Sequence, residues 1–74
     1  SDSERQQIEQ YILSHPQVRG IHELRTRRAG SIAFIQFHIE LDGRLTLDAA
    51  HSVSDAIEEG LTRLFPGADV TVHM

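Results

Sequence analysis

Five histidines, His15, His22, His38, His51 and His73, stand in a chain of 74 residues that has no cysteine. Neutral imidazole is a strong ligand for Zn2+ and other borderline divalent ions, and a site without thiolates needs three or four histidine and carboxylate groups. Only histidines gathered on one surface can do this. Segment 31–42, SIAFIQFHIELD, alternates: Ala33, Ile35, Phe37, Ile39 and Leu41 fall on one side, Gln36, His38, Glu40 and Asp42 on the other. Segment 69–74, DVTVHM, sets Val70, Val72 and Met74 against Thr71 and His73. Successive side chains point to opposite faces of a strand, so His38 and His73 are expected on the polar sides of two strands. His22, in segment 18–28, VRGIHELRTRR, can join them from a third. Its facing is open, because Val18, Ile21 and Leu24 are three apart and fit a period of two badly. Of the nearby carboxylates Glu23, Glu40 and Asp69, only Glu40 shares the side of His38 by alternation.

The elements that must position these residues follow from local signals. Ser3-Glu4-Arg5-Gln6 reads as a capping box, so a helix is expected from Ser3, with Ile8, Tyr11 and Ile12 as its apolar stripe and Leu13 at the edge. Pro16 stops it, and His15 becomes a loop residue. In 18–28 a bulge near Gly20 is expected to reconcile the three-residue spacing. Ala29-Gly30-Ser31 looks like the turn of a hairpin, Gly30 being able to take positive φ. After the turn Asp42-Gly43-Arg44, Thr46 is a good N-cap for a long helix. Its stripe is Leu47, Ala50, Val53, Ile57, Leu61 and Leu64, and Gly60 within it suggests close packing on the sheet. Phe65-Pro66-Gly67 ends it. The order is α-β-β-α-β, an α+β domain in which both helices cover one face of a three-stranded sheet and the other face is left to water, a partner or a ligand.

Seventy-four residues make one domain with a modest core, for which a partner chain or a metal is plausible support. The formal net charge of −4 argues against a nucleic-acid surface. No apolar run is long enough to span a bilayer, so the chain as given is expected to be soluble. A start without methionine favours a piece of a larger protein. Arg25-Thr26-Arg27-Arg28 reads as a solvated hairpin edge that deters aggregation, or as a surface for acidic groups of a neighbouring chain or domain.

Taken together, Gly20-Ile21-His22-Glu23-Leu24-Arg25-Thr26-Arg27, Phe34-Ile35-Gln36-Phe37-His38-Ile39-Glu40, Ala50-His51-Ser52-Val53-Ser54-Asp55 and Phe65-Pro66-Gly67-Ala68-Asp69-Val70 with His73 resemble the cytoplasmic C-terminal domain of cation diffusion facilitator transporters, above all their bacterial zinc and ferrous-iron efflux branch. The likeness covers essentially the whole chain, including histidine spacings of 16, 13 and 22 residues. It implies a metallochaperone-like, ferredoxin-like αββαβ sandwich and a single regulatory domain over 1–74. It implies a homodimer attached to a transmembrane domain of the same chain in the inner membrane. It implies a divalent cation, Zn2+ or another such as Fe2+ or Cd2+, held by His22, His38, His51 and His73. The family's further acidic ligand falls two residues after His73, beyond Met74. His51 lies far along the chain from the strands and is expected to meet their metal only across the dimer interface.

Two rival classes compete with this reading. By fold analogy alone, an αββαβ domain can be a small-molecule-binding regulatory module without metal. A zinc hydrolase is disfavoured, because no water-activating glutamate stands out beside the histidines and so short a chain offers little cleft. The domain is therefore expected not to be an enzyme.

Overall fold

The structure is a computed structural model that describes residues 2–74. Its elements are α1 (Asp2–Leu13), β1 (Val18–Ala29), β2 (Ile32–Leu41), α2 (Leu47–Leu64) and β3 (Asp69–His73). The strands form one sheet in the order β1-β2-β3, with β1 and β2 antiparallel and β2 and β3 parallel. A parallel neighbour requires a crossover, and α2 supplies it. Both helices contribute to one core, Ile8 and Ile12 from α1 and Ile57 and Leu61 from α2, together with Val18, Leu24, Ile35, Phe37 and Ile39 of the sheet. The central strand therefore buries its apolar side as alternation requires. Among the described residues no polar or charged side chain is buried.

Local signals account for most boundaries. Gly30 and Ser31 turn the hairpin, with Gly30 at φ 62°. Thr46 caps α2, its Oγ1 accepting the backbone N–H of Ala49 at 3.1 Å. Three details differ from the sequence reading. Helix α1 already includes Asp2, so Ser3 lies within its first turn and does not cap it. The stripe of α2 is shorter than its spacing suggests, since Leu47 and Leu64 at its two ends are 70% and 41% exposed. Gly60 does allow a close approach, but by α1 and not by the sheet: the Tyr11 phenol occupies the space where a Gly60 side chain would begin.

Strand β1 carries two irregularities. Its register on β2 shifts once between Val18 and Gly20, where a bulge is expected, and again between His22 and Arg25. In the second, Glu23 and Leu24 together oppose Phe37, and Glu23 takes φ 55°. Each inserted residue reverses the phase of the strand. Val18 and Leu24 can therefore both be buried, with Ile21 packed against the same core despite the three-residue spacing.

Candidate metal centre

The register of the sheet places three histidines in one row. His22 is the direct partner of His38 across β1 and β2, and His38 is the partner of His73 across β2 and β3. Directly opposed residues share a face, and here it is the face without helices. His38 and His73 stack, with ring centroids 4.7 Å apart and planes 20° from parallel. His22 is exposed and His38 partly so.

Two carboxylates join the row. Glu40 meets His22, with Oε1 and Nε2 at 2.5 Å. Glu23 meets His38, with Oε2 and Nε2 at 3.1 Å. Alternation identifies Glu40 as a neighbour of His38's face but excludes Glu23, which reaches it only because the second bulge turns it there. A non-glycine residue at positive φ in a bulge is the structural mark of this second carboxylate.

The row is not a closed coordination shell. Among the described residues no group of three or more histidine, aspartate or glutamate side chains is close enough to hold an ion as they stand. The stacking explains why. An imidazole lone pair lies in the ring plane, so two nearly parallel rings aim their lone pairs side by side and not at one point. Each ring must turn about its side-chain torsions to share an ion, and His38 must first release Glu23 or keep it on the other ring nitrogen. The donor set of three imidazoles and two carboxylates nevertheless suits a tetrahedral borderline cation.

The remaining two histidines lie elsewhere. His51 is exposed on α2, whose opposite side carries Ile57, Gly60 and Leu61 into the core. His15 closes the C-terminal end of α1: its Nδ1–H donates to the carbonyls of Tyr11 at 3.1 Å and Ile12 at 3.2 Å, and its ring meets Tyr11 edge-on. It is a structural residue.

Asp42, on the polar side of β2 by alternation, serves a turn. It accepts the backbone N–H of Arg44 at 2.9 Å and two bonds from the Arg44 guanidinium, and Arg19 donates to it at 2.9 Å. The Arg44 bonds, aided by Arg19, pull its carboxyl down to about 2.

This fold has known counterparts. The model of the family described as "cation efflux protein, cytoplasmic domain" matches residues 1–74, and the chain belongs to that family. Among curated relatives, the cation-efflux pump FieF of Pectobacterium atrosepticum is 46% identical over 72 residues, and FieF of Escherichia coli O1:K1 is 47% identical over the same length. Each match takes in 97% of this chain but 24% of the pump, so the chain spans about a quarter of these relatives. Among solved structures, one of CzrB superposes at a TM-score of 0.90 with 31% identity, covering 99% of this chain and 92% of the other. The metal-bound C-terminal domain of the CzcD transporter from Thermotoga maritima superposes at 0.78 with 28% identity, covering 95% of this chain and 87% of the other. The chain is thus a cytoplasmic domain of a cation efflux protein with the αββαβ sandwich of such domains.

Proposed function

We propose that this domain is the metal-sensing, dimerising C-terminal unit of a divalent-cation efflux transporter whose membrane-embedded part precedes α1. It takes up Zn2+ or a similar ion such as Fe2+ through His22, His38 and His73, with His51 of the partner subunit completing the shell. The observation that carries the reading is the register His22, His38, His73 on three adjacent strands. One solved relative is described as a zinc form and another as metal-bound, which supports it.

The open shell suits a sensor. Without metal the rings are held by stacking and by Glu23 and Glu40, and these carboxylates on the facing rows of two copies repel. A divalent cation offsets that repulsion and draws in the partner, so it binds the closed dimer better than the open one. Such differential affinity is what lets a ligand shift a conformational equilibrium and so bias the attached transport unit.

Calorimetry with zinc tests the site. His38 sits at the centre of the row, so His38→Ala should weaken zinc binding at least tenfold, about 1.4 kcal/mol. Equal affinity in wild type and variant would reject the assignment. Small-angle scattering then tests the switch: zinc should compact the dimer, and compact His51→Ala less.

A further inference from the structure

One end of the molecule differs from the rest in charge. Acidic residues outnumber arginines eleven to seven, yet Arg25, Arg27 and Arg28 crowd the last turnward part of β1, and Arg63 occupies the last turn of α2. These lie at the same end. Phe65, which follows α2, lines one hollow with Glu4, Arg28 and Phe34, and β3 begins opposite Phe34. The acidic groups at this end are Asp2 in the first turn of α1, Glu4, which pairs with Arg28 at 3.1 Å, Glu58 and Glu59 about one turn before Arg63, and Asp69, which lines one hollow with Arg25 and Arg27. Arg25 and Arg27 form no ion pair among the described residues. Arg27 lies over the Phe34 ring at 4.4 Å, which holds its guanidinium in place on the surface. Two apolar side chains are exposed at this end, Ile32 just after the hairpin turn at 44% and Leu64 in the last turn of α2 at 41%.

This end also holds the first turn of α1. Glu4 to Arg28, and Arg5 Nη2 donating to the Leu24 carbonyl at 2.7 Å, tie β1 to the first turns of α1. With the membrane-embedded part ahead of α1, the arginine hairpin is the end tethered nearest the bilayer.

We propose that the hairpin end docks on anionic lipid headgroups of the membrane that holds the transporter, with Arg25 and Arg27 supplying the attraction and Ile32 an apolar contact. The proposal rests on the reading of the chain as a tethered cytoplasmic domain. Basic clusters next to a membrane anchor are drawn to the negative surface of an anionic leaflet. The rest of a domain of net charge −4 is repelled by it, so the two forces together point the hairpin at the bilayer. A weak affinity is enough, because the tether makes the contact intramolecular.

The test uses the 74-residue chain and vesicles at low salt, of phosphatidylcholine alone or with about 30% phosphatidylglycerol. Co-flotation should show binding to the anionic vesicles only. Each arginine lost should weaken it about fivefold, or about 1 kcal/mol, and Arg25→Glu/Arg27→Glu by more than tenfold. Arg44→Glu, which changes the net charge as much as Arg25→Glu but lies at the other end, should bind nearly as wild type. No binding to anionic vesicles, equal binding to neutral ones, or equal losses in Arg25→Glu and Arg44→Glu would overturn the proposal. So would crosslinks from residue 25 or 27 to acidic protein loops instead of lipid in the full transporter. Zinc calorimetry on Arg25→Glu runs alongside: normal zinc binding with absent vesicle binding removes the docking surface and leaves the metal site standing.

Discussion

Gly60→Ala sets two effects of known size against each other. Alanine in a helix interior is favoured over glycine by about 1 kcal/mol, so the change should stabilise α2 if nothing touches the new methyl group. Something does. A Cβ on Gly60 would lie 1.6 Å from the Tyr11 hydroxyl oxygen, 2.2 Å from Cζ and 2.8 Å from Cε2. No small adjustment clears a whole ring edge, so Tyr11 must swing out of the seam between α1 and α2. Removing a fully buried aromatic ring costs about 3–5 kcal/mol, and Tyr11 is half-buried, so expulsion should cost about 2 kcal/mol. The contact outweighs propensity, and the variant should be less stable by about 1 kcal/mol, or about 4–8 °C in Tm for a domain of this size. Urea unfolding followed by far-UV circular dichroism gives the value. The decisive comparison is the same change in a Tyr11→Ala background, where the three nearest obstacles are gone and Gly60→Ala should become stabilising. If Gly60→Ala has the same sign in both backgrounds, the helix seam is not packed as described.

Other perturbations separate metal chemistry from structure. Imidazole binds metal only as the neutral ring, so zinc affinity should fall as pH is lowered from about 7.5 to about 5.5; constant affinity would point to a carboxylate site. Asp42 has a carboxyl depressed to about 2 in the folded state, so its stabilising effect is present above the ordinary aspartate range and is lost as pH falls from about 4 through 2. Asp42→Asn should flatten that part of the pH–Tm curve and leave zinc binding unchanged. Glu23→Gly relieves a positive φ that glycine adopts freely, so the variant should fold at least as stably as wild type by thermal melting. If Glu23 helps hold the ion, its zinc affinity should nonetheless drop several-fold in calorimetry.

The legible parts of the fold are those where one local rule acts alone. Strict alternation in 31–42 predicts the burial of Ile35, Phe37 and Ile39, and alternation in 69–74 puts His73 on the open face. Thr46 and Gly30 do what their types suggest. The failures occur where a neighbour decides. Spacing alone puts Leu47 and Leu64 in a stripe, but no element extends far enough to cover them. Gly60 signals a close contact without saying that Tyr11, nearly fifty positions earlier, makes it.

Strand β1 joins the two cases. Val18, Ile21 and Leu24 are three apart, and a regular strand would turn Ile21 away from Val18 and Leu24. Burying Val18 and Leu24 with Ile21 packed beside them requires two phase reversals, and the sheet makes both, one beside Gly20 and one at Glu23. The first brings His22 opposite His38 on the open face. The second holds Glu23 at positive φ with its carboxylate on His38. The misfit that obscures the facing of His22 in the sequence is thus the feature that assembles the row. A variant that restored regular alternation to β1 would lose core packing and the histidine site together, so the two cannot be optimised separately.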